Sequence, residues 1–326
     1  MGVNKVVIPI DNEPDKRTVV YNFFMTKIVV TSKMDFSPEQ KARLQRLGDV
    51  TFYDDQVTSP DEWLKRVNGY EIICSWMAGL REKYSELSNV FISVPFVGVG
   101  TFADPKIIKA KNITISNSPG CNRHAVSEWI IYMMLTSKRR LDKYLGTTEV
   151  VPISPPETGL AFKTVAILGY GNIGKRVGEI CKGLEMKDLY FKRGDNLLEL
   201  VKDADFIVDT LSTNSTSKGL LNKNFFNSVK KGAVFISVTT DAITDIDAML
   251  VALNEGKLSF VCHDIANAKP GDAKNELYNK LRLHPNTFVT PHIAGFSDVT
   301  TQIGNDIMID NVEAWLKGKP INVFEG

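Results

Sequence analysis

The chain has 326 residues, 43% hydrophobic and 24% charged, which predicts about two globular domains with cores large enough to need no cross-links. The 39 Lys and Arg nearly balance the 38 Asp and Glu, for a net charge of +1, and no basic run stands out. This excludes a dedicated nucleic-acid or membrane-surface protein, which works through surplus positive charge, and the composition excludes disordered and fibrous classes.

The first 24 residues hold one strand-like run, 5–10, and read as an added N-terminal arm. Residues 27–32 (KIVVTS) predict a strand. Residues 37–47 predict a helix, with Ser37 as N-cap, Pro38 at the first position and Gln40 completing a capping box. Strands at 50–53, 71–75, 90–97 and 113–115 and a helix at 60–67 complete one small parallel unit. Residues 125–135 (AVSEWIIYMML) predict a buried helix crossing between two lobes, and 146–159, rich in Thr, Pro and Gly, a loop. A second series follows, with strands at 164–168, 189–192, 206–209, 233–238, 259–263 and 287–290. Helices are expected at 172–184, 197–203, 223–229 and 245–254, then a long amphipathic segment at 297–316. The fold class is α/β, with two doubly wound parallel sheets.

Cys74, Cys121, Cys181 and Cys262 are far apart, each in or beside an apolar stretch. They read as small buried hydrophobes in a reducing compartment, with Cys121, beside a loop, the candidate for a reactive thiol. No metal-ligand spacing and no GxSxG nucleophile elbow is present. The apolar runs are too short for a membrane span or a signal peptide, so the expected location is the cytoplasm.

The sharpest motif is TVAILGYGNIGKRVGEICKGL. Gly169, Gly171 and Gly174 form G-x-G-x-x-G between an apolar strand and a helix. Gly169 permits the tight turn, Gly171 lets the backbone approach a pyrophosphate, and Gly174 allows close packing of helix on strand. The helix N-terminus offers N–H groups to the phosphates. The loop residues Gly169, Tyr170, Gly171, Asn172, Ile173 and Gly174 are therefore expected to hold a dinucleotide in a Rossmann domain. The second strand of this unit ends in Lys192 and Arg193. Two cations suit the 2′-phosphate of NADP, so NADP is favoured over NAD; Asp195, two residues on, is the carboxylate that NAD would use.

With this loop, the chain from about Lys27 onward resembles the D-2-hydroxyacid dehydrogenases, the family of glycerate, phosphoglycerate and D-lactate dehydrogenases. VGVGTFAD at 97–104 is similar to the family's substrate loop, one residue shorter than usual. NSPGCNRHAVSEW at 117–129 is similar to its crossover helix. STNSTSKGLLN, KKGAVFISV, HDI at 263–265 and TPHIAG at 290–295 resemble its later blocks. The resemblance implies a flavodoxin-like substrate domain of 1–118 and 296–326, interrupted by a dinucleotide-binding domain at 119–295. It implies a substrate cleft between them and a homodimer formed through the cofactor domain. It places Leu211, Ser212, Val238, Thr239 and Asp264 at the cofactor and His292 as the acid/base, with Val99 and Gly100 offering backbone N–H groups to the substrate; Trp76, after the third strand, where carboxyl-end loops line a cleft, is open between capping an apolar substrate and packing. Arg123, His124 and His263 are open between a place facing the substrate and a bland structural one.

Two positions break the pattern. The family's carboxylate-binding arginine falls on Thr240, and the glutamate that supports its histidine falls on Lys269. A neutral hydroxyl cannot replace a bidentate guanidinium. Three readings follow. The first is hydride transfer to an altered substrate, with Lys269 supplying the displaced positive charge. The second is a changed reaction on a substrate that is not a simple hydroxy acid. The third is a catalytically inactive nucleotide-binding regulator or scaffold.

Overall fold

A computed structural model describes residues 26–140, 158–265 and 276–325. The 1–24 arm, most of the 146–159 loop and Lys269 lie outside them. The chain divides into two compact units, one running to Cys121 and resuming at Asp298, the other Asn122–Ser297.

The first unit is a five-stranded parallel sheet in the order β2-β1-β3-β4-β5, from β1 (Lys27–Val30), β2 (Asp49–Phe52), β3 (Ile72–Cys74), β4 (Phe91–Ser93) and β5 (Thr114–Ser116). Parallel strands are covered on both faces, so they read as continuous apolar runs rather than alternating ones. One face buries Val29, Ile73, Ile92 and Ile115 with Trp63 of α2 (Pro60–Val67). The other buries Ile28, Val30, Ile72 and Phe91 against Met308, Ile309 and Val312 of α11 (Asp298–Leu316). Phe91 stacks on Trp315 at 4.6 Å, so the end of the chain closes the sheet formed by its beginning. The capping box of α1 (Pro38–Gln45) forms as expected: the Ser37 hydroxyl accepts from the Gln40 amide at 3.2 Å, and the Ser37 amide donates to Gln40 Oε1 at 3.1 Å. The strand expected at 90–97 is only three residues long. Pro95 has no N–H for the ladder, and the chain leaves the sheet into a single 3₁₀ turn at Val99–Thr101. The helix α4 (Pro105–Ala110) was not legible in the sequence.

The second unit opens with α5 (Arg123–Arg139), six residues longer than expected. Its sheet has six parallel strands in the order β11-β10-β9-β8-β6-β7. These are β6 (Thr164–Leu168), β7 (Lys187–Phe191), β8 (Phe206–Asp209), β9 (Ala233–Ser237), β10 (Leu258–Asp264) and β11 (Thr287–Thr290). From β6 the chain moves outward to β7, then crosses back to β8 on the other side. The strand order therefore reverses between β6 and β8, and doubly wound sheets bind ligands at the carboxyl ends of such a pair. No helix among the described residues is long and apolar enough to cross a membrane. All four cysteines are buried, Cys121 included, and burial pushes the Cys74 and Cys181 thiols up to about 12. The reactive thiolate is thereby disfavoured at those two positions.

Candidate active site

The glycine loop lies at the reversal point. Gly169 has φ +105°, and a Cβ there would stand 2.7 Å from the Thr210 carbonyl at the end of β8. Thr210 closes over the loop, its hydroxyl donating to the Gly169 carbonyl at 3.0 Å. A Cβ on Gly174 would lie 2.0 Å from that same carbonyl and 3.1 Å from Ile167 Cγ2 of β6. Gly174 thus lets the loop close on itself as well as on the strand. Gly171 differs: a Cβ there would meet nothing within 4 Å. It caps α6 (Asn172–Gly183) with no side chain on the helix N–H groups. Space in front of free donors is the geometry a pyrophosphate needs, and here the fold itself does not require the missing side chain. The sequence reading missed Gly178, whose Cβ would fall 1.7 Å from the Tyr190 hydroxyl of β7. Tyr170, half exposed, lies edge-on to Tyr190 at 4.3 Å with the Lys175 ammonium 5.3 Å from its ring. Asn172 is exposed and Ile173 half-buried.

Beyond β7, Lys192 and Arg193 are exposed and in no ion pair among the described residues. Gly194, at φ +98°, turns the chain so that Asp195 Oδ2 accepts the Lys192 amide at 2.7 Å. The carboxylate that could serve a ribose diol is folded onto its own backbone, and the two cations remain free.

At the carboxyl ends of β8 and β9 stands a group that sequence reasoning did not single out. Asp209 is fully buried. Its Oδ1 accepts the Leu211 amide at 3.2 Å, and its Oδ2 accepts the Thr239 hydroxyl at 2.5 Å and the Ser237 hydroxyl at 3.2 Å. The only signal in the sequence was an acid ending the apolar run FIVD. The Thr239 hydroxyl serves Asp209, its amide donates to the Ser237 hydroxyl at 3.3 Å, and its carbonyl faces His263 Nε2 at 3.3 Å. Val238 is half-buried in the core, Leu211 is half-buried, and exposed Ser212 gives its carbonyl to Ser217 and Asn214. Thr240 meets Thr213, hydroxyl to hydroxyl, at 2.9 Å. His263 is a core residue at 1% exposure, its Nδ1 without a partner, and burial lowers its pKa.

Burial pushes Asp209 from 3.8 up to about 6, against its three hydrogen bonds. The folded state then holds a proton that the unfolded state releases between those values, so stability falls as pH rises from about 4 to 6. A shift of this size corresponds to about 3 kcal/mol. The Asp209→Asn variant cannot ionise, and the Ser237 and Thr239 hydroxyls can reverse to accept from the amide. Urea unfolding of both proteins between pH 4 and 7 is expected to show the wild type losing about 3 kcal/mol relative to the variant. Parallel curves would show that Asp209 is not held protonated.

Asp264, expected at the nicotinamide, is instead almost wholly buried and engaged on both oxygens. Oδ1 accepts the Thr290 hydroxyl at 2.5 Å and the Ile293 amide at 2.9 Å; Oδ2 accepts the Ala294 amide at 2.9 Å. Asp264 thereby clamps the turn after β11 from both sides of His292. His292 projects from that turn, exposed, with φ +55°, a left-handed conformation that must be held by its surroundings.

In the first unit, Trp76 is 38% exposed and lies edge-on to Phe96 at 5.4 Å. It lines a cavity of about 170 Å³ with Lys33, Gln56 and Asn305. Val99 is corrected: its amide already donates to the Val97 carbonyl at 2.9 Å and its side chain is buried, whereas Gly100 is exposed. No cluster of three His, Cys, Asp or Glu residues suited to a metal occurs among the described residues.

Residues 131–294 match the model of the D-isomer specific 2-hydroxyacid dehydrogenase NAD binding domain. A glycerate dehydrogenase of Methylorubrum extorquens is 27% identical over 283 residues, covering 82% of this chain and 89% of that protein. A D-lactate dehydrogenase of Staphylococcus aureus is 26% identical over 309 residues, covering 85% and 93%. Among solved structures, the NAD-complexed D-isomer specific 2-hydroxyacid dehydrogenase of Lactobacillus delbrueckii superposes with a TM-score of 0.74 at 18% identity, over 92% of this chain and 100% of that one. An acyclic imino acid reductase in complex with NADPH and D-Arg gives 0.73 at 22% identity, with the same coverage. With half of its length matched by the family model and both parallel sheets in place, the chain belongs to the D-isomer specific 2-hydroxyacid dehydrogenase family.

Proposed function

We propose that the protein is an oxidoreductase that uses NADP in preference to NAD and interconverts a hydroxyl and a carbonyl group, with His292 as its acid/base. The observation that carries this reading is one unit holding both parts: an open glycine cradle at the sheet reversal and a histidine clamped in a strained turn by Asp264. The cradle fits a dinucleotide because Gly171 leaves room where a pyrophosphate would lie. When bound, the nicotinamide supplies or accepts the hydride. The N-terminus of α6 and the amides of the loop hold the phosphates. In reduction, a ring nitrogen of His292 gives its proton to the carbonyl oxygen as the carbon gains the hydride; in oxidation the proton returns to the imidazole. Asp264 keeps the turn in place through three hydrogen bonds and does not touch the proton.

Lys192 and Arg193 support the NADP preference, since one Asp195 oxygen is engaged by the Lys192 amide and the two cations are in no ion pair among the described residues. Replacing both by alanine is expected to weaken NADPH binding about 100-fold, or near 2.7 kcal/mol, and NADH binding less than 3-fold. Tryptophan-fluorescence titration with each coenzyme measures this. Equal losses for both would remove the phosphate clamp from the argument.

A second reading, dinucleotide binding without turnover, is favoured by one specific contact. At the position read as the family's arginine, Thr240 offers only a hydroxyl paired with Thr213. Screening 2-keto acids, ketones and aldehydes with the tighter coenzyme decides between the two, because a silent binder oxidises none of it.

A further inference from the structure

We propose that the first unit carries a small-molecule site of its own, at the reversal of its sheet, and that this site takes a compact ligand whose carboxamide or ammonium group donates a hydrogen bond to the Asn305 side chain. The proposal rests on neither His292 nor the coenzyme. From β1 the chain moves outward to β2 and then crosses back to β3 on the other side of β1, so the order β2-β1-β3 reverses between β1 and β3. Doubly wound sheets bind ligands at the carboxyl ends of such a pair. The cavity of about 170 Å³ stands there: Lys33, Met34 and Asp35 follow β1, Gln56 follows β2, Trp76 follows β3, and Asn305 comes from α11. A cavity of about 150 Å³ suffices for benzene, which sets the size of the ligand.

The walls of this cavity are built by specific contacts. A Cβ on Gly304 would stand 2.4 Å from the Pro95 carbonyl, so α11 presses directly on the chain leaving β4 and brings Asn305 to the cavity. The loop at 33–35 is held carbonyl by carbonyl. Gln56 Nε2 donates to that of Lys33 at 3.1 Å, Asn305 Nδ2 to that of Met34 at 2.8 Å, and Gln302 Nε2 to that of Asp35 at 2.9 Å. These bonds hold Asp35 at φ +47°, a conformation that needs such support in a residue other than glycine. Asn305 is 1% exposed. Only its amide nitrogen can donate to the Met34 carbonyl, which fixes the orientation of the side chain, and its Oδ1 has no hydrogen-bond partner among the described residues. A buried acceptor left unpaired is costly, and a ligand N–H completes it. At the rim, the Lys33 ammonium lies 3.7 Å from Asp35 Oδ1, so its charge is already countered within the site. A carboxylate entering the cavity would bring only acceptors to an acceptor. Trp76, 38% exposed, offers an aromatic surface to the rest of the ligand and attracts an ammonium through its π-system.

The test uses the full-length protein, labelled with nitrogen-15 at its tryptophan indoles and free of coenzyme. It is titrated with isobutyramide, isobutylammonium and isobutyrate; the amide and the carboxylate share a shape and differ in what they can donate. The Trp76 resonance is identified by its loss in Trp76→Phe. Isobutyramide and isobutylammonium are expected to shift it saturably and to bind at least about 10-fold more tightly than isobutyrate. In Asn305→Leu, with the melting temperature as the check on folding, both are expected to fall to the level of isobutyrate. Isobutyrate binding as tightly as the amide overturns the proposal, since Lys33 rather than Asn305 would then choose the ligand. A Trp76 resonance that none of the three moves overturns it too, leaving a cavity for water alone. Donor binding that survives in a folded Asn305→Leu has the same consequence. Asn305→Asp keeps the acceptor and adds a charge, which covers the case of a leucine variant that does not fold. There isobutylammonium should gain at least about 10-fold over isobutyramide, and an unchanged ratio overturns the proposal.

Discussion

Gly171→Ala is expected to fold as the wild type does and yet to lose its dinucleotide. The added Cβ meets nothing within 4 Å in the protein, and the backbone at φ −84° suits alanine. Stability should therefore stay within about 0.5 kcal/mol of wild type. The methyl group nevertheless occupies the space in front of the free N–H groups of α6, where a pyrophosphate must approach. Binding of NADPH and NADH should weaken by about 100-fold or more, equivalent to at least 2.7 kcal/mol. Gly174→Ala is the contrasting case. Its Cβ falls 2.0 Å from the Gly169 carbonyl, so the loop itself must shift, and overpacking of this kind costs about 1–3 kcal/mol of stability. Thermal unfolding and fluorescence titration on both variants separate the two effects. If Gly171→Ala binds coenzyme at wild-type strength, the cradle is not where the pyrophosphate lies.

His292→Asn is expected to lower kcat by about 10²–10⁴-fold, the usual contribution of a positioned acid/base. Asparagine is chosen because residue 292 has φ +55°; asparagine tolerates the left-handed region, so backbone strain is not added to the loss of the imidazole. The side chain is exposed, and the hydrogen bonds from Ile293 and Ala294 to Asp264 come from backbone amides, so the clamp survives. Melting temperature and coenzyme affinity should be unchanged while turnover collapses. A variant that retains its turnover would show that the proton comes from elsewhere.

Much of this architecture could be read without coordinates because its signals are local. The alternation of β-branched runs with helical stretches marked two parallel sheets, and most strand centres fell where the apolar runs placed them. The spacing of Gly169, Gly171 and Gly174 marked the cradle, since a turn without side chains between strand and helix leaves its imprint within six residues. The capping box at Ser37 and Gln40 is local in the same sense. The strand expected at 90–97 ends early, at Ser93, for a reason also visible locally, the missing N–H of Pro95, which competed with a strong apolar run and prevailed.

The amino-acid order by itself determined the class of fold and marked the glycine loop between β6 and α6, the cations after β7 and the candidate histidine. Only the tertiary structure decided how the carboxylates are used. Asp209 takes Thr239 from 30 residues away, Asp264 takes Ala294 from 30 residues away, and Asn122 meets Gly295 across most of the second unit. Such pairs depend on which strands become neighbours and in which register, and no short window of sequence contains that information. Side-chain direction adds to this: Thr239 and Thr240 are adjacent in the chain, yet one hydroxyl turns into the core toward Asp209 and the other outward toward Thr213. A residue type announces what chemistry it can perform; the packing around it determines whether that chemistry faces a ligand or supports the scaffold.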